Sequence, residues 1–191
     1  MTEQFSIVNG EDEHLYIVHG KENLHQSNAS GYHRAVHIIV EAFFARLVLQ
    51  KKAKGTENAG KWSSGVSGHV RFNESYKEAA IREAKEELGL EIDPDELHKI
   101  VKMPPSDNNG GEFVMIYTYL INPEEEVLKV NSTEIDEIVI GKMFDLIVDI
   151  ENHKDDYSPA FVEIFNVFLA LEKGIKGVVS NDRSDNKCKR N

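Results

Sequence analysis

A glutamate-rich segment between Glu74 and Gly89 constrains the fold more than any other part of this 191-residue sequence. Its small and apolar residues recur at helical spacing and form one stripe along the segment: Ala79, Ala80, Ala84 and Leu88. Gly89 follows at the position where a glycine in the left-handed conformation commonly ends a helix. The sequence therefore predicts a helix over residues 74–88 that packs one face against a core.

Three glutamates occupy a second face of this predicted helix. Glu83, Glu86 and Glu87 are three or four positions apart, so their side chains project from the same side. The spacing alone leaves two interpretations open, because like charges this close repel each other. One is a solvated acidic face that the neighbouring Arg82 and Lys85 compensate. The other is a site for a hard divalent cation, since Mg²⁺ and Mn²⁺ prefer carboxylate oxygens as ligands.

Several strand-like segments surround this helix in the sequence. Residues 5–8 and 15–18 flank an Asn-Gly turn and predict a hairpin, whereas residues 55–68 predict a polar, glycine-rich loop. Further strands are predicted at 34–41, 46–52, 113–121 and 137–140. Strands mixed with helices in this way predict an α/β or α+β fold.

The last predicted helix begins at Ser158 and Pro159, which suit the cap and the first helical position, and we expect it to end at Gly174. The domain organisation follows from this. We expect one domain over residues 1–174, of which residues 1–30 form an N-terminal hairpin extension. From about Val178 the sequence is polar and without pattern, and we expect residues 175–191 to form a disordered tail.

Charge and composition exclude two classes of partner. Lys and Arg number 22 against 33 Asp and Glu, and the resulting net charge of −11 repels nucleic-acid backbones and anionic lipid surfaces. No apolar run approaches the roughly 20 residues that a membrane helix requires. A single cysteine and the absence of a signal-peptide pattern predict a cytoplasmic protein. An anionic small molecule would need local cations or a metal ion to bind such a chain.

The glutamate-rich helix and the loop before it resemble the Nudix box, Gly-x5-Glu-x7-Arg-Glu-aliphatic-x-Glu-Glu-x-Gly-aliphatic. The matching residues are Gly68, Glu74, Arg82, Glu83, Glu86, Glu87, Gly89 and Leu90, with Ala84 as a small variant of the aliphatic position. The resemblance implies an α/β/α sandwich with a mixed sheet and the box as loop–helix–loop. It implies that Glu83, Glu86 and Glu87, with the backbone carbonyl of Ser67, bind Mg²⁺ or alternatively Mn²⁺. Glu74 and Arg82 would support this cluster.

The resemblance also implies hydrolysis of a diphosphate linkage. Divalent ions neutralise such a polyanion, orient its bonds and lower the pKa of a bound water. We therefore predict a Mg²⁺-dependent hydrolase that cleaves a phosphoanhydride in a small molecule of the nucleoside-diphosphate type. Glu112 and Glu134 are candidate general bases. The candidate substrate-binding residues are Lys51, Lys52, Lys54 and Trp62, for which an exposed basic strand end and a core aromatic are the alternatives.

Residues outside the box resemble one branch of this family, the isopentenyl-diphosphate isomerases. The runs that carry the likeness are Trp62–His69, His33-Arg34-Ala35 and Tyr157-Ser158-Pro159. Two chemical departures weaken it. Ser67 replaces the cysteine that the isomerase uses as an acid, and Ala160 replaces the tryptophan that faces its carbocation. Isomerase activity therefore remains an alternative. A nucleotide-sensing module without turnover is another, against which the full set of glutamates argues.

Three histidines match positions that bind a metal in the isomerase together with two glutamates. They are His25, His33 and His69. Glu112 could supply one carboxylate, but Gly110 occupies the position of the other. We therefore favour the interpretation that these histidines line the pocket mouth without a metal, with a second metal site as the alternative. The other histidines are expected to be surface or strand residues: His14, His19, His37, His98 and His153.

Overall fold

The computed structural model describes residues 2–24 and 31–182, with side chains as far as residue 174. This part of the chain contains nine strands and three α-helices. In chain order they are β1 Gln4–Val8, β2 His14–His19, β3 His33–Ala42, β4 Arg46–Lys52, β5 Trp62–Ser64, β6 Val66–His69, α1 Tyr76–Leu88, β7 His98–Met103, β8 Glu112–Ile121, β9 Ile135–Lys142, α2 Met143–Asn152 and α3 Pro159–Asp182. The predicted mixed sheet flanked by helices is confirmed.

Seven strands form the central sheet, in the order β5-β4-β3-β8-β7, with β6 also paired to β3 and β9 to β4. Strand β3 runs parallel to β8 along its whole length, while the other pairs are antiparallel. Near its start β3 pairs with β6, and only Glu41 and Ala42 at its end pair with β4. The sheet therefore opens between β4 and β6, and this opening makes room for the cavity described below.

The two faces of the sheet are covered by different helices. On β3 the even-numbered Val36, Ile38 and Val40 belong to a core that includes the apolar stripe of α1. The odd-numbered Ala35 and Ile39 belong to a second core, which contains residues of α2 and the buried phenylalanines of α3. This alternation is the two-residue period expected of a strand buried on both sides.

Helix α1 has well-defined ends. The Ser75 hydroxyl accepts a hydrogen bond from the Glu78 amide, and the Glu78 carboxylate accepts one from the Ser75 amide, which together form a capping box. Gly89 ends the helix with φ of 67°, a conformation that glycine adopts without strain. The helix thus begins two residues after the predicted start and ends where the sequence predicts.

The predicted N-terminal hairpin is confirmed as β1 and β2, which pair with each other outside the main sheet. A buried carboxylate ties it to the body of the protein. Asp12 accepts hydrogen bonds from Arg34 Nε at 2.5 Å, the Tyr76 hydroxyl at 3.0 Å and Lys102 Nζ at 2.9 Å. This attachment holds the turn between β1 and β2 against β3, α1 and β7.

Three features differ from the sequence-based expectations. Residues 55–68, predicted as a loop, contain β5 and β6, whose serines and glycines show no apolar alternation. The chain also forms β7 and α2, for which no element was predicted. The expected helix end at Gly174 is wrong, because α3 continues to Asp182 and includes residues 175–182 of the expected tail. Residues 183–191 lie outside the described residues.

None of the helices in the described residues combines the length and the apolar character needed to cross a membrane.

Candidate active site

A cavity of about 270 Å³ lies where the sheet opens. Its walls come from β3, β4, β5, β6, the start of β8 and the start of α3. Among the residues that line it are Lys21, His37, Lys52, Ser67, His69, Glu112, Glu134 and Ala160. Two cations and several polar groups therefore face one enclosed space.

The parallel pairing of β3 and β8 places His33 directly beside Glu112, and His69 reaches the same carboxylate from β6. Glu112 Oε1 accepts hydrogen bonds from His33 Nε2 at 2.7 Å and from His69 Nε2 at 3.0 Å. Burial alone would raise the pKa of Glu112, but these two hydrogen bonds outweigh it and hold that pKa well below its usual range. Burial lowers the pKa of His69. The pair of imidazoles thus stabilises an ionised, buried carboxylate.

These three side chains form a group with metal-ligand geometry. One potential ligand atom from each of His33, His69 and Glu112 lies within 4.8 Å of the others, and within the described residues this is the one such group. Two imidazole nitrogens and one carboxylate oxygen are a donor set that Zn²⁺ and other transition metals accept. His25, the third histidine of the predicted second site, lies outside the described residues. Gly110 lines the same cavity but offers no carboxylate.

Glu87 is the box glutamate that connects α1 to the cavity. Its side chain is fully buried and its two oxygens accept three hydrogen bonds. Lys52 Nζ donates to Oε1 at 3.0 Å, while Gln50 Nε2 at 3.0 Å and the Ser67 amide at 2.9 Å donate to Oε2. Because Lys52 and Ser67 also line the cavity, the Glu87 carboxylate lies just behind its wall. Lys52 therefore supplies the positive charge that compensates this buried carboxylate.

Arg82 holds the other charged residues of the box. Its Nη1 donates to Glu83 Oε1 at 2.7 Å and to Glu86 Oε2 at 3.1 Å. Its Nε and Nη2 donate to the two oxygens of Glu74 at 2.7 and 2.9 Å, and Nη2 also donates to the His69 carbonyl. Arg82 thereby fixes the loop before α1 to the helix. Gly68 belongs to this arrangement, because a Cβ at that position would collide with the Glu83 carboxylate.

The electrostatics of the box follow from these contacts. Burial lowers the pKa of Arg82, but the hydrogen bonds to Glu74 and the charge of Glu83 outweigh it and raise that pKa above its ordinary value. Burial raises the pKa of Glu83 to about 7; Arg82 opposes this rise, and the charges of Glu87 and Glu86 add to it. Glu83 therefore lies close to its titration midpoint at neutral pH.

The three box glutamates lie in different surroundings. Glu83 and Glu86 share Arg82, and Glu86 is partly exposed, whereas Glu87 turns into the protein toward β4. Within the described residues their carboxylate oxygens do not all come within 4.8 Å of one another, as the ligand atoms of His33, His69 and Glu112 do. A metal ion that uses all three glutamates would have to replace the Arg82 and Lys52 contacts.

The predicted substrate-binding residues separate into two groups. Lys52 lines the cavity. Lys51 instead lies 5.4 Å from the centre of the Trp62 ring and 4.0 Å from the Glu137 carboxylate. Trp62 packs against the second core, and Lys54 is exposed. Lys51, Lys54 and Trp62 are not among the residues that line the cavity. Both candidate bases, Glu112 and Glu134, line the cavity.

Three residues of the site were not predicted from the sequence. Lys21 reaches the cavity from the end of the hairpin. Asn109 accepts hydrogen bonds from the amides of Ser106 and Glu112, and so fixes the entry to β8. His37, expected to be a surface or strand residue, is a buried strand residue that lines the cavity. Alternation along β3 could have identified His37, because it places the side chain on the same face as His33.

Comparison with known proteins gives consistent results. The NUDIX domain family matches residues 31–160. An isopentenyl-diphosphate Delta-isomerase 2 of Aromatoleum aromaticum is 28% identical over 159 residues, 83% of this chain and 82% of that protein. Nudix hydrolase 3 of Arabidopsis thaliana is 28% identical over 115 residues, which cover 59% of this chain but 15% of that protein.

Solved structures share the fold. The Deinococcus radiodurans protein DR0079 superposes with a TM-score of 0.66 at 21% identity, covering 79% of this chain and 90% of that one. The NUDIX domain of Shewanella oneidensis NrtR, solved with ADP ribose, superposes with a TM-score of 0.57 at 10% identity, covering 72% and 86%. Identities this low show the fold alone. Together with the family match over most of the sequence, they establish that this chain belongs to the NUDIX domain family.

Proposed function

We propose that this protein is a Mg²⁺-dependent hydrolase, with Mn²⁺ as a possible substitute, that cleaves a phosphoanhydride in a small molecule of the nucleoside-diphosphate type. The observation that carries the proposal is the position of Glu87. Its buried carboxylate is bonded to two residues of the cavity wall, so a cation held there would stand beside a bound diphosphate. The net charge of −11 disfavours nucleic acid and anionic lipid as partners and so supports a small-molecule substrate, which local cations would attract. The single cysteine supports a cytoplasmic enzyme.

The residues at the cavity have different proposed roles in binding the ion and the phosphates. In this proposal Glu87 and the Ser67 carbonyl would hold the ion, with Glu83 and Glu86 as further carboxylates from the same helix. When bound, the ion would neutralise phosphate oxygens and lower the pKa of a water. Lys21 and Lys52 offer ammonium groups to the same phosphates.

The two candidate bases differ in their suitability. Oε1 of Glu112 already accepts two hydrogen bonds, and its lowered pKa makes this carboxylate a weak proton acceptor. Glu134 also lines the cavity, and the contact of its carboxylate with Asn131 is long, at 3.4 Å. We therefore assign the general base to Glu134 rather than to Glu112.

Isomerisation of isopentenyl diphosphate is the second candidate function. Relatives named as isomerases and the assembled group of His33, His69 and Glu112 favour it. The cavity wall opposes it, because Ser67 offers no thiol to protonate an alkene and Ala160 offers no aromatic face to a carbocation.

A screen for the release of phosphate or of a monophosphate tests the proposal. The protein is incubated with ADP-ribose, nucleoside di- and triphosphates, sugar nucleotides and prenyl diphosphates, with Mg²⁺ or Mn²⁺. We expect metal-dependent hydrolysis of a nucleotide-type compound and loss of turnover by orders of magnitude in Glu87→Gln. The matched control is Glu91→Gln, because Glu91 is exposed and pairs with Lys85 outside the box glutamates. Full activity in Glu87→Gln would contradict the metal assignment.

Incubation with isopentenyl diphosphate in deuterated water separates the two enzyme activities. Deuterium incorporated into carbon would show isomerase chemistry and overturn the hydrolase proposal. Binding of a nucleotide without turnover would instead identify a sensing module.

A further inference from the structure

His37 lies at the inner wall of the cavity. It follows His33 and Ala35 on the same face of β3, and the register places it directly opposite Ser67 of β6. The side chain is 6% exposed and shares the cavity with Ser63, Ser67 and Ala160. Neither the box nor the group around Glu112 uses this imidazole.

The hydrogen bonds around His37 define which nitrogen carries the proton. Nδ1 lies 2.7 Å from the Ser64 hydroxyl, and the same hydroxyl lies 3.0 Å from the Val66 carbonyl. A carbonyl can only accept, so the single hydroxyl hydrogen of Ser64 points to Val66. His37 Nδ1 therefore carries a hydrogen and donates to Ser64.

The other nitrogen of this ring is left as an acceptor. The ring is buried, and burial disfavours the charged form of an imidazole, so the ring is neutral. A neutral ring protonated at Nδ1 has a lone pair at Nε2. Within the described residues no hydrogen bond to Nε2 occurs, and Nε2 is not a fully buried atom. Because His37 lines the cavity, Nε2 is accessible from the cavity.

We propose that His37 Nε2 recognises the organic group of the substrate by accepting a hydrogen bond from one of its hydroxyls. This inference rests on the proposed function, in which Lys21, Lys52 and the ion hold the diphosphate. The hydroxyls of Ser63 and Ser67 beside His37 add further polar contacts on the same wall. A hydrocarbon group would cover Nε2 without giving it a donor, which carries a free-energy cost. The cavity thus selects a hydroxylated group over a prenyl group.

The test compares ADP-ribose with geranyl diphosphate, which share a diphosphate but differ in hydroxyl content. The measured quantity is the ratio of the two kcat/KM values. His37→Leu should lower this ratio roughly 5- to 100-fold, as expected for the loss of one buried hydrogen-bond partner. His37→Gln, whose amide reaches as far as Nε2, should restore part of it. His98→Leu is the matched control, because His98 is an exposed histidine of β7 that does not line the cavity.

An unchanged ratio in His37→Leu, or an equal loss for both compounds, would overturn the inference and leave only a structural role for His37. The same ratio is measured from dissociation constants by calorimetry with Ca²⁺, so that binding is read without turnover. If the wild-type protein prefers ADP-ribose in binding, His37→Leu loses this preference, and no hydrolysis occurs with Mg²⁺ or Mn²⁺, the hydrolase proposal is contradicted and the role of His37 is supported. Hydrolysis with an unchanged ratio in His37→Leu would support the hydrolase proposal and contradict the role of His37. Equal wild-type affinity for both compounds would overturn the inference.

Discussion

Replacing Lys52 with methionine should destabilise the metal-free protein and increase its affinity for Mn²⁺. Lys52 is the one cation within 4.0 Å of the Glu87 carboxylate in the described residues. Methionine keeps most of the aliphatic length of lysine but removes the ammonium group. Glu87 would then be a buried anion that keeps only the neutral donors Gln50 and the Ser67 amide.

The magnitude follows from the burial of the pair. Removing one partner of a buried ion pair typically costs about 3–5 kcal/mol. The Lys52 side chain is 15% exposed and Glu87 keeps two hydrogen bonds, so we expect the lower end, about 3 kcal/mol. In a protein of this size each kcal/mol corresponds to roughly 2–4 °C in Tm, which predicts a decrease of about 6–12 °C.

A divalent ion on Glu87 would supply the charge that the variant lacks. Mn²⁺ should therefore raise the Tm of Lys52→Met more than that of the wild-type protein. The wild-type protein must give up the Lys52 contact before the ion can bind. Even if the variant recovers only about 1.4 of these 3 kcal/mol when the ion binds, it binds Mn²⁺ about tenfold more tightly than the wild-type protein.

The assay is thermal unfolding with and without Mn²⁺, combined with calorimetric titration of the metal-free protein. Lys51→Met is the matched control, because Lys51 lies over Trp62 and pairs only loosely with the exposed Glu137. Surface pairs of this kind contribute about 0–1 kcal/mol. If Lys52→Met is as stable as Lys51→Met and binds Mn²⁺ no more tightly than the wild-type protein, Glu87 is not the metal position and our reasoning fails.

Two further predictions concern titration and metal content. The pKa of Glu83 is about 7 in the folded protein against an ordinary value of 4.5, so the folded state binds a proton more tightly than the unfolded state does. As the pH rises from 4.5 to 7, the free energy of unfolding of the metal-free protein should therefore fall by up to about 3 kcal/mol. Glu83→Gln should remove that part of the pH dependence in denaturant unfolding, and an identical slope in the variant would contradict the assignment. For the histidine group, elemental analysis should find well below one equivalent of Zn²⁺ or a similar metal, since Gly110 supplies no second carboxylate; a full equivalent that disappears in His69→Ala would establish a second metal site.

Local patterns in the sequence were sufficient for the elements that carry strong periodicity. The α1 stripe, its glycine end and the Asn-Gly hairpin depend on residues near each other in the chain, and all three are present. The short β5 and β6 could not be predicted in this way. They exist because β4 and β3 offer open edges to them, and that pairing depends on distant parts of the chain.

The same distinction applies to the site. Arg82 and Glu74 belong to the box itself, and their contact follows from local geometry. The side-chain partners of Glu87 come from β4, more than thirty positions away, and the spacing of the glutamates carries no information about them. His37 is an intermediate case. Alternation along β3 predicts the sheet face on which its side chain lies, but the sequence does not predict the cavity that this face lines.

The surroundings of the three glutamates bear on the two interpretations of their spacing. A solvated acidic face describes Glu86, which is partly exposed and contacts Arg82. Lys85, expected to compensate this face, pairs with Glu91 instead. Glu87 fits such a face least, because it is fully buried and an uncompensated carboxylate there would be strongly unfavourable. Folding alone gives no reason to place a carboxylate at that position, since an apolar side chain would pack there without needing Lys52 and Gln50. The burial of Glu87 beside a polar cavity is therefore the feature that favours a cation-binding role for the helix over a merely solvated one.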